Sequence, residues 1–278
     1  MVRNKEYPLF SICIISYNSA ETILQTLDSV FNQTYKNIEL IVSDDYSTDD
    51  TVTVVENWIS KHKDRFYSCK IITVDKNTGV TANCNRAVKT ATGTYVKDFG
   101  ADDLLLPEYV EDCIHFFSEN PDCGVLFTKV IEFLEDDTSK ILNIPKDYDF
   151  LRLDASEQFS WIRKRGVPGL PTPSVCYRKT VLEKVDYFDE EIPMWEDGPM
   201  YFKLAEKGVK MWLVEKNDVL YRYRNDSLCH GRPLSHMKSA ALFFFKYTWN
   251  YEIKDNPIKA IYHALKYFSL LHSDIWIF

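Results

Sequence analysis

The apolar positions of the first 120 residues alternate between two spacings. "LFSICIIS" (9–16) is a short apolar run broken only by serines, the pattern of a strand covered on both faces. Ile23, Leu24, Leu27, Val30 and Phe31 then recur at helical spacing. "IELIVS" (38–43) predicts a second strand, and Val54, Val55, Trp58 and Ile59 a second helix capped by Asp49 or Asp50. "KIITV" (70–74) is a third strand, followed by the helical face of Val80, Cys84, Ala87, Val88 and Ala91. "TYVKDF" (94–99) is a fourth, and Val110, Cys113, Ile114 and Phe117 mark a fourth helix opened by Pro107. Strict strand–helix alternation implies βαβ crossovers, hence an α/β fold with a mostly parallel sheet. In such sheets ligands sit beyond the carboxyl ends of the strands.

The second half is less regular. "VPGLPTPSVCYRK" (167–179) reads as a Pro/Gly-rich loop feeding a short strand. "GPMYFKLAEKG" (198–208) is a compact helix between Pro199 and Gly208. "KMWLVE" (210–215) and "DVLYRYR" (218–224) predict two further strands, and residues 120–195 otherwise read as loops. No repeat, low-complexity segment or linker divides the chain. One domain over 1–240, with a nucleotide-binding half (1–105) and an acceptor-binding half (106–240), is expected, followed by a helical extension over 241–278.

Composition narrows the function. The chain has 278 residues, 45% of them hydrophobic, and a net charge of −8, which argues against a nucleic-acid footprint. An anionic ligand must therefore be met locally. Seven cysteines without a C-x-x-C pair disfavour structural zinc and suit free thiols in a reducing compartment. The N-terminus reads as a first strand and not as a signal peptide. No apolar window of about 18 residues predicts a spanning helix. These features imply a cytoplasmic protein.

Familiar phosphate-binding chemistry is missing. No G-x-G-x-x-G or P-loop pattern follows a strand, and neither G-x-S-x-G nor H-E-x-x-H occurs. What the chain does offer is acids after strand-like runs: "SDD" (43–45), "ADD" (101–103) and "WED" (195–197). Adjacent carboxylates repel each other, so Asp102 and Asp103 suit a cation. Carboxylates holding a divalent metal are an alternative means of managing a diphosphate.

"SICIISYNSAETILQTLDSVFNQTYKNIELIVSDDYSTDDT" (11–51) resembles the opening of the family-2 inverting glycosyltransferases of GT-A fold. Tyr17, Asn18, Ser29, Gln33, Thr34, Glu39, Asp44, Asp45, Ser47 and Asp49 carry the match, and Tyr46 stands where glycine is common. "NTGVTANCNRAVKTATGTYVKDFGADD" (77–103) resembles the block ending in the family's acidic metal motif, and "FDEEIPMWEDGPMYFKLAEKG" (188–208) the block holding its catalytic acid. Together they cover roughly residues 9–208.

The resemblance implies a Rossmann-like nucleotide-sugar-binding fold, a UDP-linked donor, Mn²⁺ or Mg²⁺, and inversion at the anomeric carbon. By it, Tyr17 packs on the base, with Ser16 and Asn18 on the same wall. Asp45 accepts the uracil imide N–H, with Asp44 secondary and Asp49 structural. Asn85 and Arg86 contact the nucleotide, Cys84 standing where arginine is frequent. Aligned on Pro107, the metal motif reads Gly100-Ala101-Asp102-Asp103, with glycine in place of the first acid. Ala101 and Asp102 then line the nucleotide, and Asp102 with Asp103 holds the metal. Asp98 or Asp103 is a candidate to cover the gap at Gly100. Asp197 is the implied base and Glu196 its orienting partner. Arg222 or Arg224 is a candidate for the diphosphate.

The expected acceptor is a saccharide or lipid-linked saccharide, as in bacterial surface-polysaccharide assembly. The missing acid keeps a rival open, a non-catalytic nucleotide-sugar-binding protein with a degenerate metal motif. The C-terminal "FFFKYTWNY" and the Ile258, Ile261, Tyr262, Leu265, Phe268 stripe have two readings. One is a helix packed on the core. The other is a peripheral face at the inner membrane surface, with Lys246, Lys254, Lys259 and Lys266 nearby.

Overall fold

A computed structural model describes residues 7–135, 137–142, 147–223 and 234–271. The expected alternation is present: β1 (Phe10–Ser16), α1 (Ile23–Phe31), β2 (Ile38–Asp44), α2 (Thr51–His62), β3 (Ser68–Ile72), α3 (Val80–Thr90), β4 (Tyr95–Gly100), β5 (Leu104–Leu105) and α4 (Tyr109–Glu119). β1 and β2 are buried almost throughout, because helices cover both faces of the sheet. β3 begins two residues before the apolar run that announces it. Pro107 precedes the α4 N-cap, Glu108, and so lies just outside the helix it was expected to open.

The remaining elements are β6 (Val125–Leu134), β7 (Asp137–Leu142), α5 (Asp149–Arg152), α6 (Ala155–Arg165), β8 (Cys176–Arg178), α7 (Lys179–Lys184), α8 (Asp197–Glu206) and β9 (Met211–Tyr223). Three C-terminal helices follow: α9 (Leu234–Phe243), α10 (Trp249–Asp255) and α11 (Pro257–Leu271), with a π-helical turn at Phe244–Thr248. The short strand expected after the proline-rich loop is β8; the rest of the 120–195 stretch, expected to be loops, supplies among its described residues two further strands and three helices. The two strands expected over 210–224 are one strand, whose pairing with β6 shifts register around Lys129. The expected boundary at 240/241 falls inside α9.

Among the described residues all nine strands join one sheet, ordered β3-β2-β1-β4-β8-β6-β9-β5, with β7 on β6. The β3-β2-β1-β4 half is parallel. The rest is mixed: β8 runs antiparallel to β4 and β6, β5 antiparallel to β9, and β6 parallel to β9. The sheet is therefore mixed, not mostly parallel. Its switch from parallel to antiparallel falls at β4, the strand that carries the acidic motif. Two apolar clusters cover its faces, one around α3, α6 and α8, the other around α1, α2 and α4.

Candidate active site

Parallel register aligns the carboxyl ends of three strands. Ser16 pairs with Asp44, and Ile15 with Gly100. Tyr17, Asp45 and Ala101 therefore emerge side by side at one edge. Tyr17 is half exposed there, at 51%. Around it the chain is knotted by its own polar groups. Ser16 Oγ donates to Asp44 (3.0 Å), which also accepts from the Ser47 N–H (2.8 Å) and hydroxyl (2.5 Å). Asn18 has a left-handed φ of 49° and accepts from the Thr48 N–H (2.8 Å). Asp49 accepts from Thr51 and from the Ala20 N–H. Ser16, Asn18, Asp44 and Asp49 thus fix the two loops to each other. Tyr46, in the glycine position, has φ 71° and is exposed.

Asp45 is 2% exposed. Its Oδ1 accepts from Thr78 Oγ1 (2.6 Å) and Arg86 Nη2 (3.1 Å), its Oδ2 from the N–H groups of Thr78 (2.9 Å) and Gly79 (2.8 Å). A carboxylate has about four acceptor positions, and all are occupied. Asp45 braces the turn before α3, where Gly79 has φ 91°, and has no position left for a uracil imide. Arg86 is held in the same brace, donating also to Asn83 (3.0 Å).

Asn85 corrects the expectation more firmly. It is buried, and its amide exchanges hydrogen bonds with Phe188 N–H and C=O (both 2.9 Å) and donates to Glu190 (2.7 Å). It faces the second half of the chain and not the strand ends. Thr81 does likewise with the Ile192 carbonyl (2.9 Å). α3 therefore clamps the segment that leads into Glu196.

The acidic motif is built from below. Ala101 is buried, its N–H donates to Ile15 (3.1 Å) and its carbonyl accepts from Thr22 (2.8 Å), so neither group faces a ligand. Asp103 is buried too. Its Oδ1 accepts from the Arg222 N–H (2.9 Å), and burial together with the Asp102 charge pushes its carboxyl well up. This inward seat departs from the expected metal role. Arg222 is also buried and not aimed at a diphosphate: its Nε donates to the Asp102 carbonyl (2.7 Å) and its Nη2 to Gln25 (2.6 Å). Asp102 is half-buried, and its carboxylate leans back over Gly100, where an added Cβ would meet Oδ1 at 2.6 Å. Asp98 lies on the same face of β4 as Gly100, one pleat deeper. It is buried, burial pushes its carboxyl up, and its Oδ1 has no partner. Arg224 lies outside the described residues.

Glu196 and Asp197 start α8. Asp197 Oδ2 accepts from Thr172 Oγ1 (2.8 Å) and Oδ1 from the Gly198 N–H (2.7 Å). Burial pushes its carboxyl up, while Thr172, Gly198 and the nearby His236 pull it back. Glu196 has less support, from backbone alone. Burial, then Asp197 and Asp98, push it up to about 8. At neutral pH this leaves Glu196 protonated, while Asp197 is the acid of the pair with a hydrogen-bond donor on each oxygen. Thr172 and His236 carried no sequence signal. One is a threonine in a proline-rich loop, the other a histidine in a helix 39 residues beyond Asp197 in chain order. Trp195 packs on Phe243 (4.9 Å between ring centres) and His236 (5.9 Å), so it is a packing residue for α9.

Among the described residues no three His, Cys, Asp or Glu side chains converge as a ready metal cage. Asp102 is the half-buried oxygen donor at the strand ends.

Comparison with known proteins places this geometry. A glucosyltransferase of Escherichia coli, named UDP-Glc:α-D-GlcNAc-diphosphoundecaprenol β-1,3-glucosyltransferase WfaP, is 36% identical over 79% of this chain and 79% of its own length. Chondroitin synthase of E. coli is 29% identical over 73% of this chain, which spans only 27% of that enzyme. Among solved structures, S. aureus TarS 1–349 with UDP-GlcNAc superposes at TM-score 0.65 and 20% identity, covering 95% of this chain and 73% of that one. A Pyrobaculum calidifontis mannosyltransferase with GDP-Man and Mn²⁺ superposes at 0.64 and 18%, covering 96% and 71%. Both share the fold. The model of glycosyl transferase family 2 matches residues 11–185, more than half of the chain. The chain therefore belongs to glycosyl transferase family 2.

Proposed function

We propose that the protein moves a sugar from a UDP-linked donor to an acceptor hydroxyl on a saccharide or lipid-linked saccharide, with inversion, in cell-surface polysaccharide synthesis. The observation that carries this reading is the Glu196–Asp197 pair, clamped through α3 against the strand ends. Asp197, oriented by Thr172 and Gly198, takes the proton of the acceptor hydroxyl as its oxygen attacks the anomeric carbon. The bond to the nucleoside diphosphate breaks on the opposite face, so one displacement inverts the centre. Glu196 stays protonated and keeps a second negative charge away from the attacking oxygen.

The donor set fits a hard divalent cation only in part: Asp102 would be its protein ligand, and the remaining ligands would come from donor phosphates and water. When bound, such an ion offsets charge growing on the leaving diphosphate. Asp103 and Arg222 hold the Asp102 turn in place.

The test is a panel of UDP-, GDP- and dTDP-sugars with and without Mn²⁺. Metal-dependent hydrolysis of a UDP-sugar is expected. UDP binding indifferent to Mn²⁺, with no turnover of any donor, would instead fit a non-catalytic binding protein. Asp197→Asn should lower transfer roughly 1,000-fold while donor affinity changes less than about threefold. Loss of donor binding together with activity would overturn the role of Asp197.

A further inference from the structure

The helix α11 is apolar on the wrong side. Its inner face is small or engaged: Ala260 is fully buried, His263 meets Glu252 (2.9 Å), and Tyr267 packs on Phe244 (4.9 Å between ring centres). Its outer face carries Ile258, Ile261, Tyr262 and Leu265, spaced i, i+3, i+4, i+7. They are 83, 52, 65 and 68% exposed. Phe268 continues the row at 59%. Beside it a groove of about 250 Å³ is lined by Phe245, Trp249, Ile261, Ala264, Leu265 and Phe268. A row of large apolar side chains on one helix face, continuous with an apolar groove, marks an interaction surface.

Charge says what the partner is. Residues 234–271 hold five lysines (238, 246, 254, 259 and 266) against two acids, Glu252 and Asp255, in a chain of net charge −8. No acid occurs between 256 and 271. On the helical projection Lys259 and Lys266 fall together along one edge of the apolar row. Lys246 is spent on Asp189 (2.8 Å) and Glu191 (2.6 Å), and Lys259 also reaches Glu252 (3.0 Å). An antiparallel second copy of this face would set lysine edge against lysine edge. A surface of anionic lipid complements both the apolar row and the charge. Among the described residues no helix is long and apolar enough to cross a membrane, so the contact is in the plane of the interface.

We propose that α11 is a membrane-surface helix that docks the protein on anionic lipid. The helix is mechanically joined to the active site. α11 packs on α9, α9 packs Phe243 on Trp195, and Ser239 accepts from the Met194 N–H (3.2 Å), just before the Glu196–Asp197 pair.

The test is co-sedimentation of the full chain with vesicles of phosphatidylcholine alone or with 30% phosphatidylglycerol. The expected result is binding to the anionic vesicles, at least threefold weaker in 0.5 M NaCl. The pair Ile261→Gln and Leu265→Gln should weaken it tenfold or more with the thermal melt unchanged, since both side chains are exposed. No binding by the parent chain, or equal binding by the variant, overturns the proposal. So does a concentration-dependent dimer that the variant converts to monomer, which would give the face to a second copy. Donor hydrolysis in detergent-free buffer is read in parallel, so failure here is separable from failure of the transferase reading.

Discussion

At the scale of the residue, the site turns on which carboxylates are supported. Asp45 has four donors and Asp197 two, whereas Glu196 is pushed up to about 8 by burial and by its acidic neighbours. Between its ordinary value of 4.5 and about 8, folded Glu196 keeps a proton that the unfolded chain releases. Its contribution to stability is therefore whole at low pH and is lost as pH rises through that window. Glu196→Gln should flatten the fall in melting temperature between pH 5 and 8. A relative gain of about 2 kcal/mol near pH 8 is expected, well under the full shift because the group is partly exposed. Melting curves of both proteins across pH check this; parallel curves would show that Glu196 is ionised in the fold. Lys97 and Asp98, hidden in what reads as a plain strand, belong to the same scale. They point to opposite faces of β4. Burial pushes Lys97 down to about 8, with its ammonium over Phe99 and Tyr109 and donating to the Asp98 carbonyl (2.9 Å).

At the scale of the element, several motif residues prove to be scaffolding for the acidic turn. Thr26 donates to the Asp103 carbonyl (2.9 Å), Ser29 accepts from the Leu105 N–H (3.1 Å), and Gln33 spans Leu106 (2.8 Å) and Val110 (3.1 Å). Thr26 and Ser29 of α1, with Gln33 just beyond it, are thus a mould for residues 103–110. Arg222 closes the mould from β9. Arg222→Lys keeps the charge and loses the fork that reaches Asp102 and Gln25 together. We expect a loss of about 2–4 kcal/mol in stability and a donor KM raised severalfold, with kcat less affected. Denaturant unfolding and donor titration measure both, and an unchanged KM would separate Arg222 from the donor site.

At the scale of the molecule, α3 joins the two halves. Its outer residues brace Asp45, and its inner residues seize Phe188 and Ile192. Asn85→Ala would leave the Phe188 N–H and C=O unpaired, at a cost of about 2–4 kcal/mol. Because the tie runs to the Glu196 segment, kcat should fall at least tenfold while donor affinity stays within about threefold. A donor affinity that collapses with kcat would return Asn85 to the nucleotide site. The C-terminal helices extend the same logic outward. Arg163 pairs with Asp255 (2.7 Å) and Tyr251 donates to Glu206 (2.8 Å), which fixes α10 to α6 and α8 while α11 keeps its apolar row on the surface.

The alternation of β1 through α4 was legible from spacing alone, since a two-period pattern is a local property that each segment carries in itself. The acid pairs and their order were legible for the same reason. Residues 120–195 were not, apart from the short strand after the proline-rich loop. β7 is mostly exposed and α6 has a weakly apolar face, so their identity rests on the elements they pack against. Roles within the motifs were also undecided locally. Asp44, Asp45, Asp102 and Asp103 are the same residue type in near-identical company. Which of them braces a turn, sits under Arg222 or leans over Gly100 depends on donors 3 to 119 residues away. Sequence determined where carboxylates stand along the chain. Only the tertiary structure decided which donors and charges surround each, and that surrounding sets whether a carboxylate is a strut or a reactant.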